Sequence, residues 1–569
     1  MSNPYEAQAG GTMDIKSNST ASHIDEKKGF GGEKAFDQDV EVMEVESITI
    51  MDEDEERVFG EDRKRLDNSL KQRHLQMIAL VTTIGTGIFL SSGGVLATAG
   101  PLGCFMAYAI VAFVVGLNQI ALAECATLMP TTSATLRHAE QFIDPAWGFA
   151  YGWVSIWSAV MPGEISAAAV IVSYWSDLSQ AIWITIIIVL IAFANSLNIK
   201  HYGEIEFVFA MIKITLLIGL MITSLVITCG GGPNHESIGF RYWRDPGPFV
   251  QYMGIPGSLG RFTGFWKALM GSVYSFGGLQ GVPSLAAEVK YPRKTIFTAC
   301  KRVFYRVSFL MCGAAFFLGL IVPSNNKAIA TSSGNASSSP FVVAMENANI
   351  KVLPHIVNAA VLTSAFSAGN QAVVHGTRLL FALAVKGQAP KVFLKTNRWG
   401  VPWVGNIFVC AFMPLAYMNC SEAAANVFGW FQSLSSAKTL FEWMIISANH
   451  ICMTRAMKAQ GIPRSRLPHS IKFAPQAAWI SGSLSFLFLL TGGFKNFIHG
   501  EFLFSSFFSS YFVIPFALVL YFGWKFTKKT KMWAPHEVEL EVLFKDAEDH
   551  PEPPNKPLRG WRILTLMWS

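Results

Sequence analysis

The chain has 569 residues, of which 51% are hydrophobic and 15% charged, with a mean hydropathy of +0.35 and a formal charge of +6. Soluble globular chains carry about 25% charged residues, and here the apolar residues fall in unbroken blocks near the roughly 20 needed to cross hydrocarbon, which excludes a chain built of aqueous domains. The small net charge, with no basic patch, excludes nucleic acid as a partner.

Residues 1–70 are rich in Gly, Ser, Asp and Glu and include the run Asp52-Glu53-Asp54-Glu55-Glu56. Such a segment cannot bury enough apolar surface to fold, so it is read as a disordered, acidic cytosolic tail. It lacks the charged-then-apolar pattern of a cleavable signal. Its Lys16, Lys27, Lys28 and Lys34 are either ubiquitin acceptors, with ubiquitin ligase adaptors as partners, or ordinary linker lysines. Apolar spans follow at 75–99, 102–129, 146–175, 181–199, 206–229, 263–288, 303–323, 353–385, 402–419, 422–453, 477–494 and 502–526. They define an all-α membrane protein of twelve transmembrane helices, with a transporter domain over 71–527 and a cytosolic carboxyl tail over 528–569.

Lys and Arg in short loops stay on the cytoplasmic side. Basic clusters precede the first span (Arg63, Lys64, Arg65, Lys71, Arg73) and follow the sixth, eighth, tenth and twelfth, so all five face one side and both termini are cytosolic. Arg241, Arg244 and Arg261 oppose this rule, but their connector is long and is expected to fold as a small external cap. Asn335-Ala336-Ser337 is an external glycosylation sequon. The eight cysteines form no framework; Cys229 and Cys420, near outer helix ends, are the candidate pair, against the reading of scattered buried thiols.

Two spans are interrupted by glycines near mid-membrane, the first at Ile84-Gly85-Thr86-Gly87 and the sixth at Phe276-Gly277-Gly278-Leu279-Gln280-Gly281-Val282-Pro283. Their positions correspond if helices 1–5 and 6–10 form a 5+5 inverted repeat, with helices 11–12 appended. Unwound backbone in lipid requires a ligand or a water-filled cavity beside it. Amides at Thr86, Gly87 and Ile88 suit a carboxylate, and freed carbonyls at both breaks suit an ammonium. The alternative is glycine used for close helix packing.

The segments Tyr202-Gly203-Glu204-Ile205-Glu206-Phe207, Gly239-Phe240-Arg241-Tyr242-Trp243-Arg244-Asp245-Pro246-Gly247, Pro292-Arg293-Lys294-Thr295-Ile296, Ser367-Ala368-Gly369-Asn370, Gly387-Gln388-Ala389-Pro390 and Ala459-Gln460-Gly461-Ile462 resemble signature stretches of fungal amino acid permeases. These form the yeast amino acid transporter family within the amino acid, polyamine and organocation superfamily. The resemblance runs from about residue 68 to the carboxyl end. It implies the inverted-repeat fold, alternating access, proton symport and a plasma-membrane location. By that resemblance Gly85-Thr86-Gly87 is a carboxylate cradle, and Tyr274 and Phe276 are aromatics closing over the substrate. Glu164 is a cavity carboxylate, or else a helix contact. Lys213 resembles a lysine standing in for a sodium ion, or it simply bridges helices.

The chain departs from the family at Gln280, where a titratable glutamate is usual, and at Lys438 and Glu442, where relatives carry small or hydroxyl residues. An i,i+4 pair of opposite charge shares one helix face. Either the ionisable carboxylate of the sixth helix has moved to Glu442, held charged by Lys438, or the pair is self-neutralising glue. With Glu164 and Glu442 near the cavity, the substrate is an amino acid or a cationic derivative such as carnitine, choline or a polyamine. Glu124 and Glu288, beside Arg137 and Lys290 or Arg293, are candidate inner-gate or loop-anchoring pairs, and Asn370 is a mid-helix amide read as helix glue. No zinc-spaced His and Glu cluster or nucleophile elbow occurs, so neither enzyme chemistry, cofactor nor metal is expected. A non-transporting sensor would share the fold but carry a larger signalling tail.

Overall fold

The computed structural model describes residues 83–157, 160–197, 199–284, 291–330, 339–420, 424–498, 500 and 502–552. The amino tail with its lysines, the basic cluster before the first span, Glu288, Lys290 and the Asn335 sequon lie outside them.

Among the described residues the regular elements are helices. A π-helical turn (Gly87–Ser91) leads into α1 (Ser92–Leu128). This helix carries the later part of the first predicted span and, around a corner, the second as far as Leu128. Pro101 disfavours helical backbone in the residue before it, and Gly100 takes φ +79° and ψ 172°. A Cβ at position 100 would lie 2.7 Å from the carbonyl oxygen of Pro248. Leu102 N–H donates to that carbonyl at 3.1 Å, and Val250 N–H donates to Ala99 O at 3.2 Å, so the connector after the fifth span caps the corner.

Next come α2 (Ala134–Phe142), α3 (Pro145–Trp157), α4 (Val160–Val172), α5 (Gln180–Ala194) and α6 (Ile199–Thr228). The sixth span divides into α7 (Gly257–Ser275) and the short α8 (Gly281–Ser284). The remainder comprises α9 (Pro292–Ile321), α10 (Leu353–Val385), α11 (Trp403–Cys410), α12 (Ala424–Ala459), α13 (Ala474–Thr491), α14 (Phe504–Tyr511) and α15 (Val513–Lys528). Each of the twelve predicted spans therefore holds helix. By length and hydropathy alone five described helices qualify as crossing segments, or six when α14 and α15, bent by 49°, are joined. Of the others, α5 is apolar but only 15 residues long, and several are interrupted or carry interior polar groups that lower their hydropathy.

The usual distribution of a soluble core is reversed. Phe193, Val208, Ile222, Phe309 and Val519 are exposed, while Glu164, Glu206, Lys213, Asn370 and Glu442 are buried. Only a hydrocarbon solvent makes that arrangement favourable, since ionisable groups then turn inward. All eight cysteines, Cys229 and Cys420 included, are free thiols.

The carboxyl segment is more than a tail. Residues Leu540–Asp549 form α16, whose Leu540, Leu543 and Phe544 are fully buried against Met453, Met457 and Leu467. Arg466 makes a bidentate pair with Glu541, both bonds 2.9 Å, and Arg293 bonds Asp546 at 2.5 Å.

Candidate functional site

The first break is visible from its downstream side. Gly85 N–H donates to Thr83 O at 3.0 Å, and the helix restarts at Gly87, where the Thr86 side chain makes no capping bond to the first amides. A helix start leaves such donors unsatisfied. The second break runs over 276–280: Gly277 N–H bonds Tyr274 O at 3.3 Å, Gly278 takes φ +96°, and Gly281 N–H bonds Gly278 O at 2.9 Å. The breaks meet, because a Cβ on Gly87 would stand 2.7 Å from both Cα and Oγ of Ser275.

A cavity of about 130 Å³ opens beside this contact. Gly85, Gly87, Glu164, Tyr274, Gly277, Gln280, Lys438 and Glu442, all expected at the site, line it. Ile84, Thr86 and Ile88 are fully buried behind that lining. Thr86 Oγ1 lies 3.1 Å from the Tyr274 hydroxyl, which donates to Glu164 Oε1 at 3.0 Å. Phe276, expected beside Tyr274 as a closing aromatic, is instead fully buried and packs on Tyr108. The backbone turns at Phe276, so its ring leaves the face that Tyr274 occupies. Phe428, not Phe276, meets Tyr274 edge-on, with ring centroids 6.2 Å apart.

Three polar groups at this cavity have atoms that are buried and lack a hydrogen-bond partner: Glu164 Oε2, both amide atoms of Gln280, and Gln371 Nε2. Leaving such groups unsatisfied costs about 1–3 kcal/mol each. They converge on one space.

Lys438 Nζ donates to Glu442 Oε2 at 2.7 Å, and the Tyr151 hydroxyl donates to Oε1 at 2.6 Å. The pair is thus internally neutral and tied to α3. Lys213 does not line the cavity. It donates to Ser367 Oγ at 3.3 Å; Ser367 donates to Glu206 Oε2 at 2.5 Å; Asn370, which also bonds Asn195, donates to Glu206 Oε1 at 2.9 Å. Lys213 is within electrostatic reach of both Glu206 and Glu164.

Of the helix-end pairs, that of Glu288 lies outside the described residues, while Glu124 has hydrogen-bond partners other than Arg137. Glu124 accepts from Arg464 (2.7 Å), His450 (2.7 Å) and Ile471 N–H (2.6 Å). Arg137 bonds Glu140 at 3.0 Å and Ala382 O at 2.9 Å, and Arg293 bonds Asp546.

Sequence reasoning missed Glu206 as a site residue, and also Gln371, His375 and Arg378. The last three line the cavity from α10, and their i, i+4, i+7 spacing in an apolar span is the signal that could have found them. Tyr151, a buried hydroxyl in an aromatic run, left no such signal.

Residues 74–535 match the family described as amino acid permease. The chain is 35% identical over 501 residues to the dicarboxylic amino acid permease of Saccharomyces cerevisiae, covering 86% of this chain and 82% of that one. It is 35% identical to the proline-specific permease of the same yeast, covering 89% and 84%, and 34% identical to its lysine-specific permease, covering 91% and 86%. Among solved structures, a histidine-to-alanine mutant of the Eremococcus coleocola manganese transporter is similar in fold, with a TM-score of 0.50 at 11% identity, covering 80% of this chain and 94% of that one.

Proposed function

Because this chain belongs to the amino acid permease family, we propose that the cavity between its two helix breaks binds one α-amino acid and carries it across the plasma membrane by alternating access, with a proton as companion and both termini cytosolic. The observation that carries this reading is the convergence of Glu164 Oε2, the Gln280 amide and Gln371 Nε2 on one space beside the helix restart at Gly87. The substrate carboxylate takes the amides of Thr86 to Ile88. Its ammonium takes Glu164 Oε2 and the freed carbonyls of the second break.

The proton belongs with Glu164, Lys213 and Glu206. Two carboxylates share one ammonium there, and a buried group of net charge is costly. One added proton neutralises the set. Gln280 cannot supply that proton, and Glu442 already has Lys438 and Tyr151 as partners. That internal balance also removes Glu442 as a reason to prefer carnitine, choline or polyamines. The three relatives named above are called dicarboxylic, proline-specific and lysine-specific, so family membership does not choose among acidic, neutral and basic amino acids.

The test is radiolabelled uptake with simultaneous proton flux in permease-deficient cells, against competing aspartate, proline, arginine, carnitine and spermidine. Saturable accumulation competed by amino acids is expected. Ligand-dependent signalling without flux would replace this reading with a sensor.

A further inference from the structure

A second cavity, of about 410 Å³, lies between the same helices. Residues 91–98 of the first span and 267–271 of α7 face it, whereas the central cavity takes Thr83 to Gly87 and Tyr274 to Gly281. The two spaces are thus stacked along these helices. Phe428 lines the second and Tyr274 the first, and their edge-to-face contact closes the passage between them. Tyr252, from the connector that caps the Gly100 corner, also lines the second cavity, which is therefore the outer vestibule in the orientation proposed above.

Two lysines line this vestibule. Lys267 on α7 and Lys495 beyond α13 line it together with Gln432 and Ser433, and no Asp or Glu is among its described lining residues. Lys495 acts electrostatically on Lys267, so the lysines face a shared space. Lys267 has no hydrogen bond or ion pair among the described residues. An ammonium at membrane depth without a counter-charge is costly, and membrane cations normally pair with an acid or face an aqueous ligand path. The vestibule is also roomy at its walls, because a Cβ built on Gly94 or Gly429 meets nothing within 4 Å.

We infer that Lys267, beside Lys495, forms a carboxylate-capture site in the outer vestibule, in which Lys267 is the capturing group, and that it loads acidic amino acids ahead of the Tyr274–Phe428 closure and disfavours basic ones. This rests on the permease reading and adds its substrate class. A monocarboxylate zwitterion brings its own ammonium toward the lysines, whereas a dicarboxylate presents a net negative charge. Charge near a binding path acts mainly on capture, so it changes apparent affinity more than turnover.

The experiment measures concentration-dependent uptake of labelled aspartate, proline and lysine in permease-deficient cells. It uses wild type, Lys267→Gln, Lys267→Arg and Lys495→Gln, each normalised to surface protein. The expected result is uptake of aspartate with a lower KM than lysine, a rise of about tenfold in that KM in Lys267→Gln with kcat within about twofold, and recovery in Lys267→Arg. The KM for proline should move by less than about twofold. Wild-type uptake that favours lysine overturns the inference, as does an aspartate KM unchanged in Lys267→Gln, which would make Lys267 a snorkelling lysine only. Equal change for all three substrates also overturns it. Absence of saturable uptake of any amino acid would instead remove the permease reading itself.

Discussion

Replacing Glu206 by Gln tests where the proton resides. The two bonds through Ser367 Oγ, 3.3 Å from Lys213 Nζ and 2.5 Å from Glu206 Oε2, place the ammonium within about 6 Å of the carboxylate, and unit charges at that separation attract by roughly 3 kcal/mol at an effective dielectric of 20. Glutamine keeps the side-chain shape and an acceptor oxygen for Ser367 but turns its amide toward the Asn370 amide that donates to Glu206, so thermal stability and surface protein are measured alongside. What changes is the charge: Lys213 then balances Glu164 alone, and the set is neutral without an added proton. The hold on that proton should weaken tenfold for each ~1.4 kcal/mol of carboxylate repulsion that the substitution removes. In cells or proteoliposomes, proton co-uptake per amino acid should fall from about one toward zero, while exchange of labelled for unlabelled substrate across the membrane continues. An unaltered ratio of proton to substrate in Glu206→Gln, with normal surface protein, would refute the assignment of the proton to this set.

Three further outcomes follow from the geometry. Gly87→Ala would force a Cβ to 2.7 Å from the Ser275 backbone, and overpacking of this kind costs about 1–3 kcal/mol; detergent thermal stability should fall and uptake should be largely lost, whereas wild-type uptake would show that the breaks do not hold this contact. Glu442→Gln leaves Lys438 buried without its 2.7 Å partner, a loss of about 3–5 kcal/mol, so the double variant Lys438→Gln with Glu442→Gln should be the more stable; if Glu442→Gln instead alters the pH dependence of uptake without loss of stability, Glu442 is the coupling carboxylate. Hydrogen bonding from Arg466 holds the Glu541 carboxyl below its usual range, so this contribution is present above the unfolded carboxylate value and is lost as pH falls through the lower folded one. Proteolysis across residues 540–549 should increase below about pH 4, with salt, and at neutral pH in Arg466→Ala; insensitivity to all three would deny α16 its electrostatic anchor.

Membrane helices and their interruptions were legible because each leaves a local mark: long apolar runs, glycine clusters within them, and basic loops at their ends. The lining by Glu164, Tyr274, Gln280 and Glu442 followed, since each lies close in sequence to a break or projects charge from an apolar span. Direction was not legible. Phe276 and Tyr274 are two residues apart, and only the backbone torsions at the break decide that one ring faces the cavity while the other packs on Tyr108. Partners distant in sequence were equally hidden. Glu124 finds Arg464 and His450 more than 300 positions away, and Glu206 acquires a role only when α6 meets Ser367 and Asn370 of α10.

The two charged sets differ in what they can sense. Lys438 and Glu442 are four residues apart on α12, so their bond travels with the helix whatever its neighbours do. From other helices, Tyr151 on α3 reaches Glu442 at 2.6 Å and His375 on α10 acts electrostatically on both members of the pair. In the other set the hydrogen bonds cross between helices: Lys213 and Glu206, which also attract each other along α6, both bond Ser367 on α10, and Lys213 also acts on Glu164 on α4. Relative motion of α4, α6 and α10 must lengthen some of these links and so change how strongly the set holds positive charge. Coupling requires a differential interaction between two conformations, and a bond internal to one rigid helix has none to offer. This is the physical ground for placing the proton at Glu164, Lys213 and Glu206, and for reading Lys438 and Glu442 as a fixed wall of the cavity.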